Sequence, residues 1–335
     1  MMYISNNTKT KCIFVIVSSF LLVVSFILSL STGQTAISFS DTLKALFQYN
    51  PADTEHVIVR TSRLTRAVIA MVIGASLAVS GALMQALTKN PLAAPDILGI
   101  NAGAIFFIVF SITFFPLHSL VHFMWIAFLG ASIAAISVYS LGAVGNNSLS
   151  SIKIVLAGAA ISALFTSFTQ GLLVIDEQRL QSVLFWLAGS VAGREMDMLL
   201  PVLPFLAVGW IIAVFLGGSV NILLLGEEMA KGLGQRVFMV KILIGLVVVF
   251  LAGSSVAIGG AIGFIGLIVP HIARGLTNSD YRWLIPLSAI LGASLLLLSD
   301  VVARIVIMPQ EVPIGVMTAI IGTPFFIYIA RKGLK

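Results

Sequence analysis

The chain has 335 residues, of which 59% are hydrophobic and only 10% charged, with a mean hydropathy of +1.10 and a net charge of +6. A soluble domain carries about 25% charged residues, so this chain would leave far too much hydrocarbon facing water, whereas in a bilayer the same surface faces lipid. The single cysteine, Cys12, excludes an internal disulfide framework or cysteine zinc site, and no basic run is interleaved with aromatics as a nucleic-acid surface would need.

The apolar runs are continuous and roughly 20 residues long, without the period-two alternation of a membrane barrel. The expected fold is therefore all-α, a polytopic transmembrane helical bundle in a single domain over residues 1–335. Lys9 and Lys11 precede the first apolar run, Ile13 to Leu30. A cleaved signal peptide would look similar, but the length of the run and the later topology favour a retained helix. In chain order, about ten spans are expected, with approximate limits 12–31, 64–87, 97–115, 121–143, 152–175, 197–217, 238–258, 261–274, 283–303 and 312–331. The eighth is short and glycine-rich, so it need not cross fully. Residues 176–194 read as a loop with a short interfacial helix.

Lysine and arginine positions set the expected orientation. With both termini cytoplasmic, the inner segments hold twelve Lys and Arg residues and the outer segments seven: Lys44, Arg60, Arg63, Arg66, Arg179, Arg194 and Arg304. The rule is met, yet the outer count is high, and Arg60 to Arg66 and Arg304 ask for another role. Gly99 and Gly103, Gly189 and Gly193, and Gly259 and Gly263 have the GxxxG spacing that lets helix backbones approach closely. That pattern implies a compact bundle and names no substrate.

Catalytic patterns are missing from the sequence. It has no P-loop, no HExxH and no GxSxG. His118 and His122 are four apart, but no third ligand lies nearby in sequence, so no metal site is assigned. Asp96, Asp300 and Arg304 fall near span ends, and no span centre carries an acidic relay. This argues against an ion-coupled secondary transporter. A transporter without a P-loop takes its energy from a partner.

The most informative stretch is Arg63 to Gly103, RLTRAVIAMVIGASLAVSGALMQALTKNPLAAPDILGINAG. Arg63, Arg66, Gly74, Gly81, Gln85, Asn90-Pro91-Leu92-Ala93, Pro95 and Leu98-Gly99 resemble the signature of the FecCD family, permeases for iron–siderophores, haem and cobalamin. Thr65 stands where that signature usually has Pro. Gly263 to Arg274 (GFIGLIVPHIAR), Asp300 to Arg304 (DVVAR) and Pro313 to Phe326 (PIGVMTAIIGTPFF) are similar to three further family segments, in the right order. The chain also resembles the cobalamin permease of that family.

The resemblance implies a type II ABC importer permease that is not itself an enzyme and holds no cofactor. Its implied partners are an ATP-binding cassette ATPase dimer, an extracytoplasmic substrate-binding (lipo)protein and a second permease subunit, identical or not. The implied cargo is a ferric siderophore, with cobalamin or haem as the alternative. Arg63, Arg66 and Arg304 match positions that receive acidic residues of the binding protein, a task suited to the planar guanidinium fork, and the neighbouring Arg60 is expected to assist. Residues 226–236 would be the coupling loop in the ATPase cleft, formed as a short helix, a turn and a second short helix. It contains Gly226, Glu227, Glu228, Lys231, Gly232, Gly234 and Arg236. Ser150 and Ser151, in the loop from Asn146 to Lys153, match a cytoplasmic gate.

Overall fold

A computed structural model describes residues 8–115, 119–144, 150–175 and 180–333. His118 and the Asn146 portion of the expected gate loop lie outside the described residues.

Among the described residues, seven helices are long and apolar enough to span a bilayer, and three shorter apolar helices complete the expected ten. We label them α1 (Thr8–Ser31), α2 (Thr54–Thr88), α3 (Ile100–Phe114), α4 (Leu120–Ala143), α5 (Ser151–Ile175), α6 (Met196–Leu224), α7 (Val237–Gly259), α8 (Ile265–Thr277), α9 (Tyr281–Ile305) and α10 (Ile314–Gly333). The face on which α1 starts is called the amino-terminal face here, and the other the opposite face.

The central element is α2. Its best apolar window is 89% buried, against 17% for α5. A helix apolar all round belongs inside a bundle, and α2 also carries small residues where its neighbours cross. A methyl group on Gly74 would overlap the Gly292 carbonyl of α9, and one on Gly81 would overlap the Gly266 carbonyl of α8. These contacts bring three backbones together, the arrangement by which packing replaces the hydrophobic effect within lipid. The spans α1, α6 and α7 close around this centre, while α3, α4 and α5 form a second pack beside it. Several serines inside the spans bond back to their own helices, as Ser80 does to Ser76 and Ser25 to Leu21, so those hydroxyls are satisfied without water.

Span boundaries differ from expectation where capping extends a helix. The second span starts at Thr54 instead of 64, because the Asp53 side chain accepts the Glu55 N–H. A π-turn at Ile58–Arg63 joins this start to the main helix. The helix ends at Lys89 in the left-handed conformation (φ 53°), followed by Asn90, whose side chain accepts the Leu92 N–H. Span six runs seven residues beyond its expected end, to Leu224.

The eighth span is short, as its glycines suggested. Its 13 residues rise about 20 Å at 1.5 Å each, less than a bilayer core of about 30 Å. The turn 260–264 before it is not helical, and the last turn of the helix Leu180–Ala188 and the segment after it supply hydrogen-bond partners beside it. Ala261 N–H donates to the Trp186 carbonyl at 3.0 Å, and Ser190 N–H donates to the Gly259 carbonyl at 2.8 Å. Irregular backbone at membrane depth survives only when protein supplies such partners. The helix Leu180–Ala188 is the short helix expected between spans five and six.

Candidate functional site

On the opposite face, the four arginines singled out in the sequence separate into two kinds. Arg63 is only 4% exposed. Its Nη1 donates to the Leu30 and Ser31 carbonyls, both at 2.9 Å, and its Nη2 to the Thr35 carbonyl. Arg304 is 2% exposed. Its Nη1 donates to the Ser29 and Thr32 carbonyls, both at 2.9 Å, and its Nη2 pairs with Asp300. Both forks therefore cap the last turn of α1, where carbonyls have no helical partner and a cation meets the negative helix end. Both guanidinium groups are thus turned inward and occupied in this structure.

Arg66 lies between the kinds, with its side chain 14% exposed. Its Nη2 reaches Asp300 at 2.8 Å and its Nη1 reaches Glu311 at 2.7 Å. Arg63, Arg66, Arg304 and Glu311 border a pocket of about 150 Å³ that also involves Gln34, with Asp300 buried behind it. Arg60 is exposed on the π-turn, its guanidinium carbon 4.5 Å from the centroid of the Tyr49 ring. Of the four, Arg60 and the edge of Arg66 are open to a visiting acid.

On the amino-terminal face, the expected coupling loop contains one helix, Glu227–Gly232, followed by a turn. The second short helix is absent, because Val237 already opens α7. Gly226 (φ 121°) and Gly234 (φ 80°) bracket the element in conformations that a side chain would strain. Glu227 and Glu228 occupy its first turn and Lys231 its last, each favourable to the helix dipole. Glu228, Met229, Lys231, Leu233 and Arg236 face outward, a mixed apolar and charged surface without an internal partner layer. The element is also tied inward. Lys241 of α7, 3% exposed, pairs with Glu227 at 2.7 Å, and the Gln235 side chain donates to the Ser219 carbonyl of α6 at 2.8 Å.

The two serines expected at a gate make local bonds. Ser151 Oγ donates to the Leu87 carbonyl at 2.8 Å, joining the start of α5 to the end of α2. Ser150 Oγ accepts the Lys153 N–H at 3.2 Å. Nearby, Asp280 caps α9 and accepts from Asn221 at 2.7 Å and Lys11 at 3.5 Å. Burial pushes the Asp280 carboxyl up, but Asn221, the Arg282 N–H and Lys11 together hold it below its usual range.

A further exposed surface runs along α5, where Thr166, Ser167 and Gln170 stand among Leu164 and Phe168. Polar side chains on an exposed membrane helix face protein or a water-filled path in preference to lipid. Among the described residues no group of three metal-ligating side chains converges. Sequence reasoning missed Glu311 and Lys241. The partner of each is remote or placed by a turn, so spacing carries no signal of the pairing.

Comparison with known proteins adds a common pattern. The sequence profile of the FecCD transport family matches residues 21–332. The chain is 51% identical, over 99% of both chains, to the "Probable siderophore transport system permease protein YfiZ" of Bacillus subtilis strain 168. It is 42% identical to the Fe(3+)-citrate import system permease protein YfmD of the same organism, over 98% of this chain and 97% of that protein. The ferric enterobactin transport system permease protein FepD of Escherichia coli K12 is 36% identical, over 93% of each. A solved "metal-chelate type ABC transporter" in an inward-facing conformation superposes with a TM-score of 0.83 at 31% identity, covering 96% of this chain and 99% of that one.

Proposed function

Because this chain belongs to the FecCD transport family, we propose that it is the permease subunit of an ATP-driven importer that carries a ferric siderophore across the cytoplasmic membrane. It is a multi-pass membrane permease and not an enzyme; ATP hydrolysis belongs to a partner. The observation that carries the cargo reading is the end-to-end likeness to permeases named for siderophore, ferric citrate and enterobactin transport. Cobalamin and haem, the alternatives left open by the motifs, have no such support among these relatives.

In this reading both termini are cytoplasmic and the opposite face is the outer one. The substrate-binding protein docks there through acids that meet Arg60 and the exposed edge of Arg66. Arg63 and Arg304 hold the end of α1 in the shape that the partner meets. Such rim charges set orientation and on-rate more than affinity. On the inner face, Gly226 to Arg236 enters a cleft of an ATP-binding cassette dimer, and its outward Met229, Leu233, Lys231 and Arg236 support this role. Ser150 and Ser151 narrow the inner exit. A second permease copy, identical or related, completes the path along α5.

Uptake of radiolabelled iron chelates by cells with and without the chain tests the assignment. Loss of uptake of at least one ferric siderophore, restored when the chain is supplied again, is the expected result. Intact uptake of every iron chelate, together with lost cobalamin or haem uptake, would overturn the cargo.

A further inference from the structure

Arg194 lies between the helix Leu180–Ala188 and α6, on the opposite face. It is only 8% exposed. Its guanidinium carbon stands 4.6 Å from the centroid of the Trp186 ring, and its Nε donates a long bond, 3.4 Å, to the Ser190 carbonyl. Among the described residues no carboxylate pairs with it, unlike Arg66 and Arg304, and no acceptor takes its two terminal nitrogens. Burial brings its pKa down to about 10, so it remains a cation at neutral pH.

A buried charge without a counter-ion is costly, and an aromatic face offsets only part of that cost. The surroundings are fixed and open on one side. Gly315 N–H donates to the Gly189 carbonyl at 3.1 Å, which fastens this segment to the start of α10, while Ser190 fastens it to Gly259 at the end of α7 and Trp186 to Ala261 in the turn before α8. Gly193, immediately before the arginine, is left-handed (φ 66°), and the space where its Cβ would stand is empty.

We propose that Arg194 receives an anionic oxygen group, a carboxylate or similar oxyanion, on the chelate entering from the outer side. This rests on the importer reading above. A fork with two free N–H edges takes a carboxylate in bidentate fashion. Its depth suits a small ligand entering the mouth and excludes the broad face of a docked protein.

The test uses the complete transporter in nanodiscs, titrated with citrate at fixed ionic strength and read by tryptophan fluorescence, to which Trp186 contributes. Wild type is expected to show a saturable change. Arg194→Gln should abolish it, and Arg194→Lys should weaken the midpoint about tenfold, the equivalent of one charge-assisted bond. No saturable response in wild type, or an equal response in Arg194→Gln, overturns the site. Should the Gln variant fail to fold, the Lys variant decides, and an unshifted midpoint overturns it. Iron uptake measured in parallel separates the two readings. Absent citrate binding with intact iron uptake sinks the site alone, whereas saturable citrate binding without any iron uptake sinks the cargo alone.

Discussion

Asp300 is fully buried and held between two arginines, one four residues away on its own helix and one 234 residues away on α2. Such a cluster gains little over a well-packed apolar core, because desolvation offsets most of its Coulomb energy. Breaking it is another matter. Asp300→Asn would leave Arg66 and Arg304 facing each other with only Glu311 nearby. The expected loss is about 3–5 kcal/mol, typical of an orphaned buried charge. Thermal unfolding in detergent measures it, and an unshifted melting temperature would contradict the account. The DVVAR motif was legible in the sequence, as was the excess of outer arginines. What each arginine touches was not, since Arg63 and Arg304 both end on the carbonyls of α1, Arg304 across 275 positions from Ser29.

At the scale of an element, the helix Glu227–Gly232 has an outward face for a partner and inward ties to α6 and α7. In the proposed coupling role, a movement of the partner reaches the spans through these ties as well as through the connecting backbone. Lys241→Met removes one of them, a charge-assisted bond worth about 1.5–3 kcal/mol, while keeping the apolar stem. The ATPase should still co-purify and hydrolyse ATP, but iron taken up per ATP should fall about tenfold. An unchanged ratio would mean that the coupling runs elsewhere, for example through Gln235 alone. The sequence announced a short helix here because Gly226 and Gly234 punctuate it. It misled about a second one, since the charged loop merges directly into the apolar start of α7 at Val237.

The whole molecule is asymmetric in its burial. The central α2 is sealed by its neighbours, while α5 leaves Thr166, Ser167 and Gln170 uncovered. An uncovered glutamine in hydrocarbon would lack hydrogen-bond partners, which supports the proposal that this face meets a second permease or the path between two copies. With Cys12 replaced by Ser, a cysteine at Gln170 is expected to cross-link to the partner permease through a short thiol reagent. A cysteine at Ile136, exposed on α4, is expected not to. Equal cross-linking at both positions would remove α5 from the interface.

The sequence by itself determined the class, the ten apolar helices and most of their ends to within a few residues. The reason is that a bilayer leaves the backbone no partner except its own helix, so continuous apolar runs translate directly into elements. It also determined family membership, through ordered motifs across most of the chain. Only the tertiary structure decided which charges are free. Arg63 and Arg304 lie inward, Arg66 finds Glu311, Lys241 finds Glu227, and Arg194 keeps an open guanidinium edge. Those outcomes depend on which helix ends pack together and how turns aim the side chains, and no periodicity along the chain records that.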